Sequence, residues 1–240
     1  MLIELAERFD TPSAKTGDPA DSNKIAHIER PFVNYALIGF NIVVFLLQWL
    51  GGQDGLFMGQ ITYGMIPAVV SGAVEGPAPW LPDHATILTY MFLHADWLHL
   101  LSNMLFLWVF GDNVEDAMGH VKYLVFYLAC GVLSGLAHLL IFPGAMGPLV
   151  GASGAVAGII GAYLVLYPKV RVFVLNRLII TFPLALPAWV VLGLWVATQL
   201  FYVFIWGNDG VAWWVHVGGV LAGAVLVVVF KRRQVPLWGG

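Results

Sequence analysis

Charge is what this chain has least of. Lys, Arg, Asp and Glu make up only 10% of its 240 residues, against roughly a quarter in a soluble domain, and that excludes an ordinary soluble fold. The formal net charge of -3 comes with no basic patch, so a nucleic-acid partner held through its phosphates is excluded as well. Cys130 is the single cysteine, and no intrachain disulfide can form. A thiolate nucleophile in its apolar surroundings is disfavoured. No HExxH motif and no Cys/His pair at metal-ligand spacing occurs, and neither a metal nor another cofactor is expected. The first thirty residues are polar and mixed in charge, which does not fit a secretory leader. The long segment from Gly51 to Trp97 contains no Lys or Arg at all.

What is present is apolar sequence: 60% hydrophobic residues and a mean hydropathy of +0.83. Six runs are long enough to read as membrane helices. They are Phe32 to about Leu50, about Leu98 to Val114, about Lys122 to Phe142, the run carrying Ser153 to Tyr167, about Leu184 to Trp206, and Ala212 to Phe230. Residues 1–31 are expected as a cytoplasmic tail with some helix at its start, 32–231 as one six-helix membrane domain, and 232–240 as a short cytoplasmic tail. Gly51 to Trp97 reads as short helices and turns lying in the interface, with Trp80 and Trp97 as anchors. Gly207 to Val211 reads as a tight turn. The fold class is therefore an all-α polytopic membrane protein, a six-transmembrane-helix bundle with an interfacial loop between its first two helices. With six spans both termini share a side, and all eleven Lys and Arg fall on that side. This positive-inside pattern makes the termini cytoplasmic.

The polar residues can then be placed by depth. Spans two, four and six all enter from the outer face. Ser153 stands near the start of span four, His216 about one turn into span six, and His99 and Asn103 in the first turns of span two. Ser153, Ala157 and Gly161 form one small-residue stripe, and Gly154, Gly158 and Ala162 another. His216, Gly219 and Gly223 share one face of span six. Such stripes let helix backbones approach closely in lipid, which would bring serine and histidine together. A membrane serine can also be no more than a helix–helix hydrogen bond or an N-cap, and His216 and Asn103 can equally be polar interhelical contacts. The sharper reading is a nucleophile with its base. A serine hydroxyl attacks only when a base takes its proton, and histidine can do so near neutral pH. No Asp or Glu lies within the surrounding spans at this depth, so the reading is a Ser–His dyad with packing orienting the ring. His99 and Asn103, four residues apart on one face, would line an oxyanion hole with the Ser153 backbone N–H.

His99-x-x-x-Asn103, Gly151-Ala-Ser153-Gly154, and His216 followed by Gly-Gly and Ala-Gly, in that order, resemble the rhomboid intramembrane serine proteases. So do His94-Ala-Asp-Trp97-Leu-His99, Asn103-Met-Leu-Phe-Leu-Trp108 and Gly111-Asp-Asn-Val-Glu115-Asp-Ala-Met-Gly119. The resemblance covers about Phe32 to Lys231. It implies Ser153 as nucleophile, His216 as base and His99 with Asn103 at the oxyanion, with membrane-anchored proteins as substrates, cut in or near their transmembrane segments. It implies an integral membrane protein with its site toward the outer face, and a bacterial plasma membrane is the expected setting. Two departures stand out. The segment Gly51 to Trp97 lacks the Trp-Arg pair that many members carry there. Ala157 stands where several members place an aromatic against the histidine. Other classes are a catalytically dead rhomboid-like client binder, which would lack Ser153 or His216, and a small transporter, which calls for paired acids or broken helices at the midplane.

Overall fold

The computed structural model describes residues 28, 30–174, 184–206 and 212–239. The readings made for residues 1–27, for Arg177 and for the turn at Gly207 to Val211 lie outside the described residues.

The described chain is mainly helical. Its helices are α1 (Phe32–Leu50), α2 (Gly52–Tyr63), α3 (Pro67–Val70), α4 (Thr86–Thr89), α5 (Trp97–Met118), α6 (His120–Ile141), α7 (Ser153–Leu166), α8 (Ala188–Phe201) and α9 (Trp213–Phe230). Phe32–Leu50, His120–Ile141, Ala188–Ile205 and Trp213–Phe230 are long and apolar enough to cross a membrane. α5 has 22 residues but carries Asp112, Glu115 and Asp116 toward its end. α7 is apolar and only 14 residues long, about 21 Å at the usual rise. Between α1 and α5 the chain folds into short helices and turns.

The expectation of an all-α chain needs one correction. Between α7 and α8, strands β1 (Arg171–Val174) and β2 (Leu184–Pro187) pair antiparallel, with Arg171 opposite Pro187 and Val174 opposite Leu184. Leu184 to Pro187 therefore does not begin the fifth helix. Pro187 is extended, with φ -57° and ψ 143°, as a proline before a helix readily is, and its ring would clash with the preceding turn if the helix ran through it. The helix starts at Ala188, whose N–H donates to Val170 O, while Trp189 N–H donates to Pro168 O. These bonds satisfy donors that a helix start leaves open.

α1 is polar inside and apolar outside. Its buried face carries Asn34, Leu37, Asn41, Phe45 and Gln48, spaced by three and four, whereas Phe40, Val43, Leu47 and Leu50 are exposed. In water that distribution would be costly; against lipid it is the favourable one, because polar groups find partners only inside the bundle.

α7 is the central helix. Every residue from Gly154 to Tyr163 is buried, the expected state of a helix apolar all round. Small residues make this possible. A Cβ placed on Gly219 would collide with Gly154 O, one on Gly223 with Gly158 O, and one on Gly161 with Val220 O. On the other flank a Cβ on Gly158 would lie 2.5 Å from Cys130 Cβ of α6, and Cys130 is itself fully buried. α7 and α9 thus touch backbone to backbone along the stripes read from the sequence.

Candidate active site

The amino end of α7 is shaped by Gly151. Its φ of +121° is open to glycine and strained for other residues. Just upstream, Met65 and Leu149 exchange N–H to O bonds of 3.0 and 2.8 Å, and Gly151 N–H donates to Tyr90 O at 3.0 Å. The approach to Ser153 is therefore pinned to the segment between α1 and α5. Ser153 opens α7, and the first intrahelical bond runs from Val156 N–H to Ala152 O. The N–H groups of Ser153, Gly154 and Ala155 thus precede the helical ladder, at the end that favours negative charge.

His99 arrives from α5. Asp96 caps that helix, its Oδ1 accepting the His99 N–H at 2.8 Å, as an N-cap aspartate does. The ring then faces Gly151 closely. A Cβ on Gly151 would sit 2.6 Å from His99 Nε2 and 3.7 Å from Ser153 Oγ. A glycine hydrogen in place of a methyl is what lets the imidazole and the hydroxyl share this corner. Asn103, one turn on, is buried, and its Nδ2 donates to His99 O at 3.0 Å. One amide hydrogen of Asn103 is thereby held by its own helix. His94 packs edge-on against His99, with ring centroids 5.1 Å apart. It lies in the loop before α5, fully buried, and burial lowers its pKa to about 3, which keeps it neutral.

His216 is set at the same level of the α7–α9 contact. Its neighbour Val215 packs against Gly154, where a Cβ would fall 2.8 Å from Val215 Cγ1. The ring lies between Trp195 of α8, at 5.9 Å and 36°, and Trp213 one turn back, at 5.7 Å and 82°. Ala157 presents no ring, and these two indoles are aromatic neighbours of the imidazole. His216 Nδ1 is 2.7 Å from Gln199 Oε1. Among the described residues no hydrogen bond joins Ser153 Oγ to His216, so the resting ring is held from the α8 side.

Gln199 is the site residue that sequence reasoning missed. The available signal was a lone amide in an apolar span, four residues after Trp195 and on the same face. The other histidines stand apart: His84 lies in a turn between α3 and α4, His120 contacts Glu115, and His138 packs on Phe142. Among the described residues, no three His, Cys, Asp or Glu side chains are grouped to hold a metal ion.

Comparison with known proteins bears on the family. Residues 82–233 match the Rhomboid domain family. The chain is similar to Rhomboid protein 1, mitochondrial, of Saccharomyces cerevisiae, with 28% identity over 83% of this chain and 55% of the relative. It is similar to Rhomboid protease GluP of Bacillus subtilis, at 31% over 56% of this chain and 24% of the relative. It also resembles the human Presenilin-associated rhomboid-like protein, mitochondrial, at 29% over 40% of this chain and 26% of the relative. The chain spans about half the length of the first of these and about a quarter of the other two. With a family match across more than half of its residues and helices fit to cross a bilayer, this chain is an integral membrane protein of the rhomboid family.

Proposed function

We propose that the chain is a six-span intramembrane serine protease that hydrolyses peptide bonds in or near the transmembrane segments of membrane-anchored proteins. Gly151 carries the reading: it lets His99 Nε2 and Ser153 Oγ converge at the free N–H end of α7. α5 and α7 complete the six spans, the termini face the cytoplasm of a bacterial cell, and the site opens outward, where water for hydrolysis is available.

In the proposed reaction Ser153 Oγ attacks the scissile carbonyl carbon and its proton passes to His216 Nε2. The carbonyl oxygen becomes an oxyanion that accepts from the Ser153 N–H, the His99 ring N–H and the second amide hydrogen of Asn103. Each such donor contributes roughly 3–4 kcal/mol to the transition state. Collapse breaks the C–N bond, and His216 returns the proton to the leaving amine. Water, deprotonated by His216, then hydrolyses the acyl ester and restores the Ser153 hydroxyl. The protein's own groups suffice, without a cofactor.

α8 is the side by which a substrate helix reaches this site in our reading. A bulky cross-link between α8 and α5 should slow cleavage of a membrane-embedded substrate; unchanged cleavage would exclude that route. Gly or Pro near the scissile bond should speed cleavage by easing local unwinding of the substrate.

The deciding experiment is reaction of the full chain with a fluorophosphonate probe and with a single-span membrane substrate. The intact chain should label and cleave, and Ser153→Ala should do neither. Equal labelling of the two would remove Ser153 from the mechanism.

A further inference from the structure

A glutamine in the middle of an apolar membrane helix is unfavourable unless its amide is bonded. Gln199 of α8 is 5% exposed, and three bonds account for its amide. Nε2 donates to Trp195 O at 3.0 Å and contacts Thr198 Oγ1 at 3.1 Å. Thr198 Oγ1 itself donates to Trp195 O at 2.6 Å, which leaves its lone pairs free to accept from Gln199. Oε1 faces His216 Nδ1 at 2.7 Å.

This arrangement has one consistent orientation. Turning the amide over would set Oε1 against the Trp195 carbonyl, two acceptors with no proton between them. With Nε2 held on α8, the atom presented to His216 is an acceptor only. Nδ1 must therefore carry the ring proton, and the lone pair is left on Nε2. The two ring nitrogens point in diverging directions, so the basic nitrogen looks away from α8. A serine protease triad uses a carboxylate for the same purpose, holding the tautomer and the orientation of the imidazole.

We infer that Gln199 is the positioning residue of the site: a neutral side-chain amide, delivered by the fifth span, that fixes His216 as its Nε2-basic tautomer, the part that a carboxylate plays in a triad. Trp195 acts with it. The two residues are four apart on α8, and the indole covers the ring whose Nδ1 the amide holds. α8 thereby supplies both constraints that Ala157 of α7 cannot. This assignment rests on the protease reading above.

The test compares Gln199→Leu, which keeps the bulk and removes the acceptor, with Gln199→Glu, which keeps an acceptor oxygen. With a single-span substrate, Gln199→Leu should lower kcat about 10- to 100-fold, less than the roughly 10⁴-fold lost when a triad carboxylate becomes an amide. KM should stay within about threefold, the signature of a group that acts in the transition state. Gln199→Glu should recover most of kcat. A Gln199→Leu enzyme that matches wild type, or equal impairment of both variants, would overturn the assignment. Should the leucine variant fail to fold, the wild-type chain decides. The ¹⁵N spectrum of histidine-labelled protein, with His216 assigned by difference from His216→Asn, should show the proton on Nδ1; a proton on Nε2 would overturn the inference. A wild-type chain that neither labels nor cleaves overturns the protease reading and the positioning role with it. A wild-type chain that labels while Gln199→Leu labels as fast overturns the positioning role alone.

Discussion

α5 carries a polar cluster at each end, His99 and Glu115 being roughly 24 Å apart at 1.5 Å per residue, and the two clusters are built to opposite ends. At the far end Glu115 is fully buried. It accepts the N–H groups of Val33 and Asn34 at 3.1 and 2.7 Å, and His120 Nδ1 lies 2.5 Å from Oε1. Asn34 donates to Leu107 O and accepts from Tyr123 OH. The carboxylate caps the start of α1 from a neighbouring helix, and every group meets a partner. At the near end, neither nitrogen of buried His94 has a partner among the described residues, and the Ser153 hydroxyl is in no hydrogen bond there. The first cluster holds three helices together. The second leaves hydrogen-bonding capacity open in a buried place, a condition that a catalytic site can use.

Mutations can break this contrast. The largest effect should come from His216→Ala, which ought to reduce hydrolysis by at least about 10⁴-fold, while the orphaned Gln199 Oε1 costs only about 1–3 kcal/mol in unfolding; a residual rate within tenfold of wild type would show that the near end is not chemical. Glu115→Ala should do the reverse. Two backbone N–H groups and one imidazole would lose their acceptor, costing roughly 2–4 kcal/mol in denaturant unfolding, with kcat per folded molecule preserved. A fall in kcat without loss of stability would erase the distinction.

Asn103→Ala sharpens the comparison, because Asn103 both holds His99 O and offers a second hydrogen. It should lower kcat about 10²-fold with little change in KM; unchanged kcat would make it part of the scaffold. The smallest effect belongs to His94. Its folded pKa lies below the unfolded value, so the unfolded chain binds more protons and stability rises with pH across the window from about 3 to about 6.5. Acidification from pH 7 to pH 5.5 should therefore destabilise wild type by about 1 kcal/mol more than His94→Phe. Parallel pH curves would show that His94 is not held neutral.

Much of this molecule is readable from its sequence, and what is not has a common cause. Apolar runs give the helices, because in lipid each must satisfy its backbone alone. Glycines at intervals of four give the α7–α9 contact, because periodicity survives without knowledge of the partner. Ser153, His216, His99 and Asn103 can be picked out by order and depth. Gln199 cannot, since one amide in an apolar run has no period, and its partner depends on how α8 is rotated. The Glu115 cluster joins residues some eighty positions apart. β2 escaped for a different reason: hydropathy is as high in Leu184 to Leu186 as in the helix that follows, and only Pro187 separates them.

The burial of Cys130 between α6 and α7 has a practical consequence. The chain's one thiol is packed against the backbone of Gly158, out of reach of a maleimide or a spin label. The native protein therefore already behaves as a cysteine-less background. One cysteine introduced on the exposed face of α8 and one on that of α5 would be the two reactive handles, so the distance between those helices can be followed spectroscopically without first redesigning the interior.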